Sequence, residues 1–209
     1  LGKTVGILGI ARSGIAAAKK IQELGGAAFL SDSKSYQDIS FAAEISSLFA
    51  CEFGGHSEKL LNCDLLVVSP GVPNNIPILQ KAYNKDIEVI SEIELGYRIK
   101  HSDSKIIAVT GSNGKSTTAS LIHHIIKSAG YNCILAGNIG DAFTKFEIEK
   151  PGIDYIVLEI SSFQLELIEE FRPDVAVLLN ITPDHLNRYD SFEDYALAKF
   201  NIFKNQTEN

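Results

Sequence analysis

The sequence predicts an α/β protein with a Rossmann-like N-terminal domain on a parallel sheet, followed by a P-loop α/β domain held only in part. Three observations carry this. Short apolar runs alternate with stretches of helical periodicity along the chain, the pattern of a parallel sheet covered on both faces. Each half opens on the same unit, a strand, a glycine turn and a helix. A polar stretch, Lys100-His101-Ser102-Asp103-Ser104, separates the halves, so domains are expected at 1–101 and 102–209.

Thr4 to Ile10 (TVGILGI) reads as the first strand. Ser13 to Leu24 places Ile15, Ala16, Ala18, Ile21 and Leu24 at helical spacing and is closed by Gly25-Gly26. Ala27 to Ser31 is a second strand ending at Asp32, and Asp64 to Ser69 and Ile87 to Ser91 are two more. The alternation then restarts: strand Lys105 to Thr110, helix Lys115 to Ala129 closed by Gly130, and strands at Asn132 to Ala136, Asp154 to Ile160 and Asp174 to Ile181. Ser191-Phe192-Glu193-Asp194 has the form of a capped helix start running to about Lys204.

Composition narrows the function classes. The 209 residues carry 45% hydrophobic and 22% charged side chains, which suits a folded globular chain and excludes a disordered one. A net charge of −7 argues against a nucleic-acid partner, whose binding rests on Lys and Arg neutralising phosphates. No apolar run is long enough for a membrane span, and no signal peptide opens the chain. Cys51, Cys63 and Cys133 are widely spaced with no CxxC, and read as buried thiols of a reducing cytoplasm. The absence of Met, with a strand at one end and a helix at the other, leads us to expect a piece of a longer protein.

Thr110-Gly111-Ser112-Asn113-Gly114-Lys115-Ser116-Thr117 lies between a strand and a helix, the context a phosphate loop needs. Glycines let successive N–H groups turn towards a phosphate, and the helix start adds partial positive charge. Lys115 can reach β and γ phosphates, and the Ser116 hydroxyl suits Mg²⁺. Val109 stands where the eight-residue GxxxxGK[ST] pattern would place its first glycine, so this is the shorter TGxxGKST form. Glu159 ends a strand in LEISSFQLE, and Asp184-His185 follows another in LNITPDHLNRY. Each alone is an ordinary strand-end or surface residue. Together they fall on the carboxyl edge of one sheet, where ligands of open α/β sheets gather.

The tracts TGSNGKST, GNIG (137–140), LEISSFQLE (158–166) and LNITPDHLNRY (179–189) resemble the Mur ligase family, within it the branch that adds D-glutamate. The resemblance runs over the whole chain, and SSFQLE is its most discriminating tract. It implies an ATP-dependent amide ligase of peptidoglycan precursor synthesis, with ATP on Gly111, Ser112, Asn113, Gly114, Lys115, Ser116 and Thr117. It implies two Mg²⁺ ions, one on Ser116 and Glu159 and one on His185 and a carbamylated Lys199. Lys115, His185 and Lys199 are then the catalytic residues, and Asn138 and Ser161 contact the muramoyl substrate or its phosphates. In the first domain, Ser13, Asp32, Ser33, Ser69, Pro70 and Gly71 would line a site for UDP-N-acetylmuramoyl-L-alanine. The remaining partners implied are D-glutamate and ATP, in a cytoplasmic monomer.

Other readings stay open here. Gly9-Ile10-Ala11-Arg12-Ser13-Gly14 is a degenerate GxGxxG, but Ala11 at its second glycine weakens a dinucleotide oxidoreductase. Another ATP-dependent amino-acid ligase of the superfamily, or a non-catalytic nucleotide-sugar-binding module for these 209 residues by themselves, are the alternatives. The 209 residues alone are expected to lack ligase activity.

Overall fold

A computed structural model describes residues 2–184 and 188–207. The chain divides into two compact units, Leu1–Glu92 and Ile93–Asn209.

The first unit runs β1 (Thr4–Leu8), α1 (Arg12–Glu23), β2 (Ala27–Asp32), α2 (Ala42–Leu48), β3 (Ala50–Phe53), β4 (Leu65–Val68), α3 (Pro77–Tyr83) and β5 (Glu88–Ser91). Its five strands are all parallel in the order β3-β2-β1-β4-β5. Ile7, Leu8, Leu30, Leu66 and Ile90 are fully buried, as strands covered on both faces require. Helix α1 lies tight on the sheet because Ala16, Ala17 and Ala18 bury against it. Gly14 goes further: a Cβ there would stand 2.1 Å from the Gly9 carbonyl oxygen, so only glycine lets the helix start sit on the turn. Strand β3 is absent from the sequence reading because Ala50-Cys51-Glu52-Phe53 is too short and mixed to show a period. Helix α3 starts on Pro77, whose missing N–H costs nothing in the first turn.

The second unit contains α4 (Glu92–Ile99, except its first residue), β6 (Lys105–Thr110), α5 (Lys115–Ser128), β7 (Cys133–Gly137), β8 (Tyr155–Glu159), α6 (Ser162–Leu165), β9 (Val175–Leu178) and α7 (Phe192–Phe200). Its sheet is parallel in the order β7-β8-β6-β9. One face buries Ile106, Ala108, Ile156 and Leu158 with Phe143 and Phe171. The other packs Val109 and Val157 beneath Ala119 of α5. Ser191 caps α7 as expected, accepting the Asp194 N–H at 3.1 Å. The α-helix passes at Asn201 into a 3-10 turn, Asn201–Phe203, that ends at Lys204, as expected.

The polar run at 100–104, expected at the junction of the domains, is a loop inside the second unit. Ser104 N–H donates to the His101 carbonyl, and Lys100 Nζ donates to the carbonyls of His101 and Ser104. Polarity marked a loop there, while burial of Ile93 and Glu94 assigns α4 to the second unit. Glu94 is completely buried and accepts N–H groups of Glu169, Glu170 and Phe171 at 2.9–3.0 Å, with Arg98 Nε at 2.8 Å. Cys63 and Cys133 are buried free thiols, whereas Cys51 is only half-buried. Among the described residues no helix is long and apolar enough to cross a membrane.

Candidate functional site

In the second unit, β6 delivers Thr110 to the carboxyl edge of the sheet, where its hydroxyl donates to the Ile160 carbonyl at 2.8 Å. The loop then turns through Gly111 and Gly114. Gly114 sits at φ +84°, a left-handed conformation that sets the first turn of α5 and disfavours any side chain. Lys115 and Ser116 therefore occupy the first helical turn, next to backbone N–H groups that have no intrahelical partner. Lys115 Nζ rests on the Ser112 carbonyl at 3.0 Å, and Ser116 and Thr117 are exposed.

The segment after β9 holds the loop in place. Ser112 N–H donates to the Asn180 carbonyl at 2.9 Å, and Asn113 N–H to Asn180 Oδ1 at 2.9 Å. The Ser112 hydroxyl donates to the Thr182 carbonyl and accepts the Thr182 N–H, both at 3.0 Å. Its single proton is thereby used, so the Tyr195 hydroxyl, 2.9 Å away, is the donor between those two. The Ser112 side chain is thus a stitch between loop segments, while its neighbours face outward.

Strand pairing sets Glu159 opposite Val109 and Gly137, at the root of the loop. The Glu159 side chain is 2% exposed; Oε1 accepts Asn138 Nδ2 at 2.8 Å, and Oε2 has no partner among the described residues. A buried carboxylate oxygen left without a donor costs free energy unless something else satisfies it. A divalent cation beside the loop would. Asn138 orients this carboxylate. Ser161 is the N-cap of α6, in a capping box with Gln164, so its hydroxyl is engaged within the chain.

Lys199 is 2% exposed and donates from Nζ to the Gly111 carbonyl at 2.9 Å. Burial, then repulsion from Lys115, hold its amine down at about 8, against a weaker pull from Asp184. The structure thus brings Lys199 to the loop, a position nothing in its local sequence signals. Tyr195, one helical turn earlier, is equally silent in the sequence, because the Tyr-to-Lys spacing is ordinary for any helix. His185 lies outside the described residues. Among those described, no three His, Cys, Asp or Glu side chains cluster as a metal site.

In the first unit, Ser69 Oγ donates to the Gly9 carbonyl at 3.0 Å and lies 3.4 Å from Ser13 Oγ. Asp32 is nearly buried; Oδ2 accepts Ile10 N–H at 2.7 Å and Oδ1 accepts Lys34 N–H at 2.8 Å. It braces the glycine turn from the end of the neighbouring strand. Ser33 and Gly71 are exposed beside it and Pro70 is half-buried. Gly9, Ser13, Asp32 and Ser69 are therefore assembled around one turn, at the carboxyl ends of β1, β2 and β4.

Two parallel sheets, a braced glycine turn and a TGxxGKST loop with an unsatisfied carboxylate agree with what comparison finds. Residues 3–91 match the MurD-like N-terminal domain of Mur ligases and residues 109–209 the Mur ligase middle domain; the chain belongs to the Mur ligase family. It is 48% identical over 208 residues to the UDP-N-acetylmuramoylalanine--D-glutamate ligase of Salinibacter ruber, and 49% identical over 204 residues to that of Cytophaga hutchinsonii. These alignments take in 97% and 96% of this chain, and 45% of each relative, so the chain spans somewhat under half their length. Among solved structures, the fold is similar to UDP-N-acetylmuramate:L-alanyl-gamma-D-glutamyl-meso-diaminopimelate ligase from Neisseria meningitides. That match has a TM-score of 0.64 at 18% identity, over 100% of this chain and 70% of the other. UDP-N-acetylmuramate-alanine ligase from Thermotoga maritima matches with a TM-score of 0.57 at 21% identity, over 97% and 47%.

Proposed function

We propose that this chain supplies the UDP-substrate-binding and ATP-binding parts of a ligase that joins D-glutamate to UDP-N-acetylmuramoyl-L-alanine in peptidoglycan precursor synthesis. The observation that carries the reading is Glu159 Oε2, buried without a donor among the described residues at the root of a loop bearing Lys115 and Ser116. The identity to D-glutamate ligases along nearly the whole chain supports the choice of substrates.

The chain's own residues divide the work. Loop amides at 111–116 and the start of α5 cradle the ATP phosphates. Lys115 leaves the Ser112 carbonyl and follows the charge that builds as the γ-phosphoryl group passes to the alanyl carboxylate, giving an acyl phosphate. The D-glutamate amine attacks that carbonyl carbon and inorganic phosphate departs. No protein nucleophile takes part. Ser116 and Glu159 would hold one Mg²⁺, and His185 with a carbamylated Lys199 a second; bound there, the ions would neutralise phosphate charge. The lowered basicity of Lys199 suits the carbamate, which forms from the neutral amine. Ser13, Asp32, Ser33, Ser69, Pro70 and Gly71 frame the UDP end of the substrate, with Asp32 and Ser69 acting through the shape of the turn. Asn138 and Ser161 serve the reacting end, Asn138 by aiming Glu159. The enzyme is read as a cytoplasmic monomer.

The test uses the complete enzyme and UDP-N-acetylmuramoyl-L-alanine labelled with ¹⁸O in its alanyl carboxylate. Label should appear in the phosphate released, and release should require D-glutamate. Glu159→Gln should lower turnover about 10²–10³-fold without loss of folding. Equal turnover with another amino acid, or unlabelled phosphate, would overturn the reading.

A further inference from the structure

The phosphate loop divides into a tethered half and an open half, and one side chain draws the line between them. Strand β9 pairs with β6 so that Leu178 stands opposite Thr110, and the Leu179 N–H donates to the Thr110 carbonyl at 3.0 Å. The ladder thereby delivers Asn180 to the loop just past the ends of both strands. Gly111 makes room for it. A Cβ at that position would stand 3.1 Å from Leu179 Cβ and 3.3 Å from the backbone nitrogen and oxygen of Asn180.

Asn180 then grips the loop at three points. Its carbonyl accepts the Ser112 N–H at 2.9 Å, its Oδ1 accepts the Asn113 N–H at 2.9 Å, and its Nδ2 donates to the Asn113 carbonyl at 3.0 Å. The carboxamide thus pairs with both backbone polar groups of one residue. Because an N–H can only donate and a carbonyl only accept, these partners fix which way the amide group faces. Asparagine supplies an acceptor and a donor in one short rigid plane; aspartate lacks the donor, and glutamine sets the pair one methylene further out. Asn113 Nδ2 reaches Thr182 Oγ1 at 3.3 Å, a further tie to the same segment.

Beyond Asn113 the amides are different. Gly114 is the N-cap of α5, and Lys115, Ser116 and Thr117 follow it, the four positions whose N–H groups a helix leaves without partners of its own. The first bond of the helix runs from the Thr118 N–H to the Gly114 carbonyl at 3.0 Å. Among the described residues, the N–H groups of 114–117 have no partner.

We propose that Asn180 is a positioning residue for the nucleotide: it takes the Ser112 and Asn113 amides out of use, fixes the loop against β9, and leaves the amides of 114–117 as a preformed cradle for phosphate. This rests on the reading of the loop as the ATP site and narrows the cradle within it. Asn180 touches no substrate in this role and acts through Asn113. A loop already held in its binding shape loses less conformational entropy when the nucleotide arrives, so the clamp strengthens binding.

The test uses the complete enzyme and the non-hydrolysable ATP analogue AMP-PNP with Mg²⁺, titrated by calorimetry. Asn180→Ala should weaken AMP-PNP about tenfold and leave UDP binding and thermal unfolding unchanged. Steady-state assays should place the loss on KM for ATP more than on kcat. Asn180→Asp keeps the acceptor but turns a carboxylate oxygen on the Asn113 carbonyl, so it should bind AMP-PNP more weakly still. In wild type, amide exchange followed by NMR should be slow at Ser112 and Asn113 with or without nucleotide, and slow at 114–117 only with it. Should the variants fail to fold, that exchange pattern decides the matter. Unchanged AMP-PNP affinity in Asn180→Ala, an equal loss of AMP-PNP and UDP binding, or fast exchange at Asn113 in wild type overturns the role of Asn180 while leaving the ATP site standing. Failure of AMP-PNP to bind wild type overturns the ATP reading and this proposal with it.

Discussion

The two glycine turns of this chain share an architecture and differ in chemistry. Both follow an interior strand of a parallel sheet, β1 in one unit and β6 in the other, and both lead into the longest helix of their unit. At the first turn, α1 opens on Arg12-Ser13-Gly14, and Gly14 is pressed against the Gly9 carbonyl. The turn is braced through its backbone by Asp32 and Ser69. At the second, α5 opens on Lys115-Ser116-Thr117, and the bracing comes from 180–182 and from α7. The first turn offers shape and backbone amides. The second adds a cation, an exposed hydroxyl and a carboxylate with one oxygen lacking a partner among the described residues. On the proposed reading both turns hold phosphate, and the residues beginning the helix separate the turn that holds it from the one that takes part in its transfer.

Five changes would break or sharpen that contrast. Lys115→Ala in the complete enzyme should lower ATP-dependent phosphate release about 10³-fold or more, with thermal unfolding unchanged, since Lys115 makes one bond to a carbonyl. Arg12→Ala at the matching position of the first turn should weaken sugar-nucleotide binding at most about tenfold and leave saturating turnover intact. Glu94→Ala removes the buried acceptor for three N–H groups, the one of Phe171 itself buried, and for an arginine, and should cost the second unit about 3–5 kcal/mol, read by denaturant unfolding. Gly14→Ala should cost the first unit about 1–3 kcal/mol, because its neighbour is backbone and cannot yield. Gly71→Ala, with nothing within 4 Å of the new Cβ and no left-handed φ, should leave stability unchanged.

The smallest effect concerns the thiols. Burial pushes Cys63 and Cys133 above the usual thiol value of 9.0. A raised thiol pKa means that the folded state holds its proton more tightly than the unfolded one. Stability should therefore be constant below that value and fall as pH rises above it, in a pH series of thermal unfolding. Both thiols should alkylate slowly near neutral pH until the chain unfolds.

Legibility in the sequence followed the range of the interaction. Strand β6 and the start of α5 fall where the apolar run and the lysine after glycine place them, because strand–turn–helix geometry is fixed by residues adjacent in the chain. The junction near residue 100 was drawn from polarity, which reports a loop, whereas α4 belongs with the second unit through the burial of Ile93 and Glu94. Glu94 gives no signal beyond an ordinary i,i+4 pair with Arg98, because its three backbone partners lie 75–77 residues away. Tyr195, 83 residues from Ser112, was silent for the same reason.

By itself the sequence determined the parallel α/β class, the phosphate loop and the tracts shared with Mur ligases, since these depend on local periodicity and on residue types at short spacing. Only the tertiary structure decided which groups are satisfied and which are left wanting. It used the Ser112 and Ser161 hydroxyls within the chain, turned Asp32 into a brace, seated Lys199 on the loop, and left Glu159 Oε2 without a donor among the described residues. Burial and distant hydrogen bonds fix those outcomes, and neither can be read from neighbours along the chain.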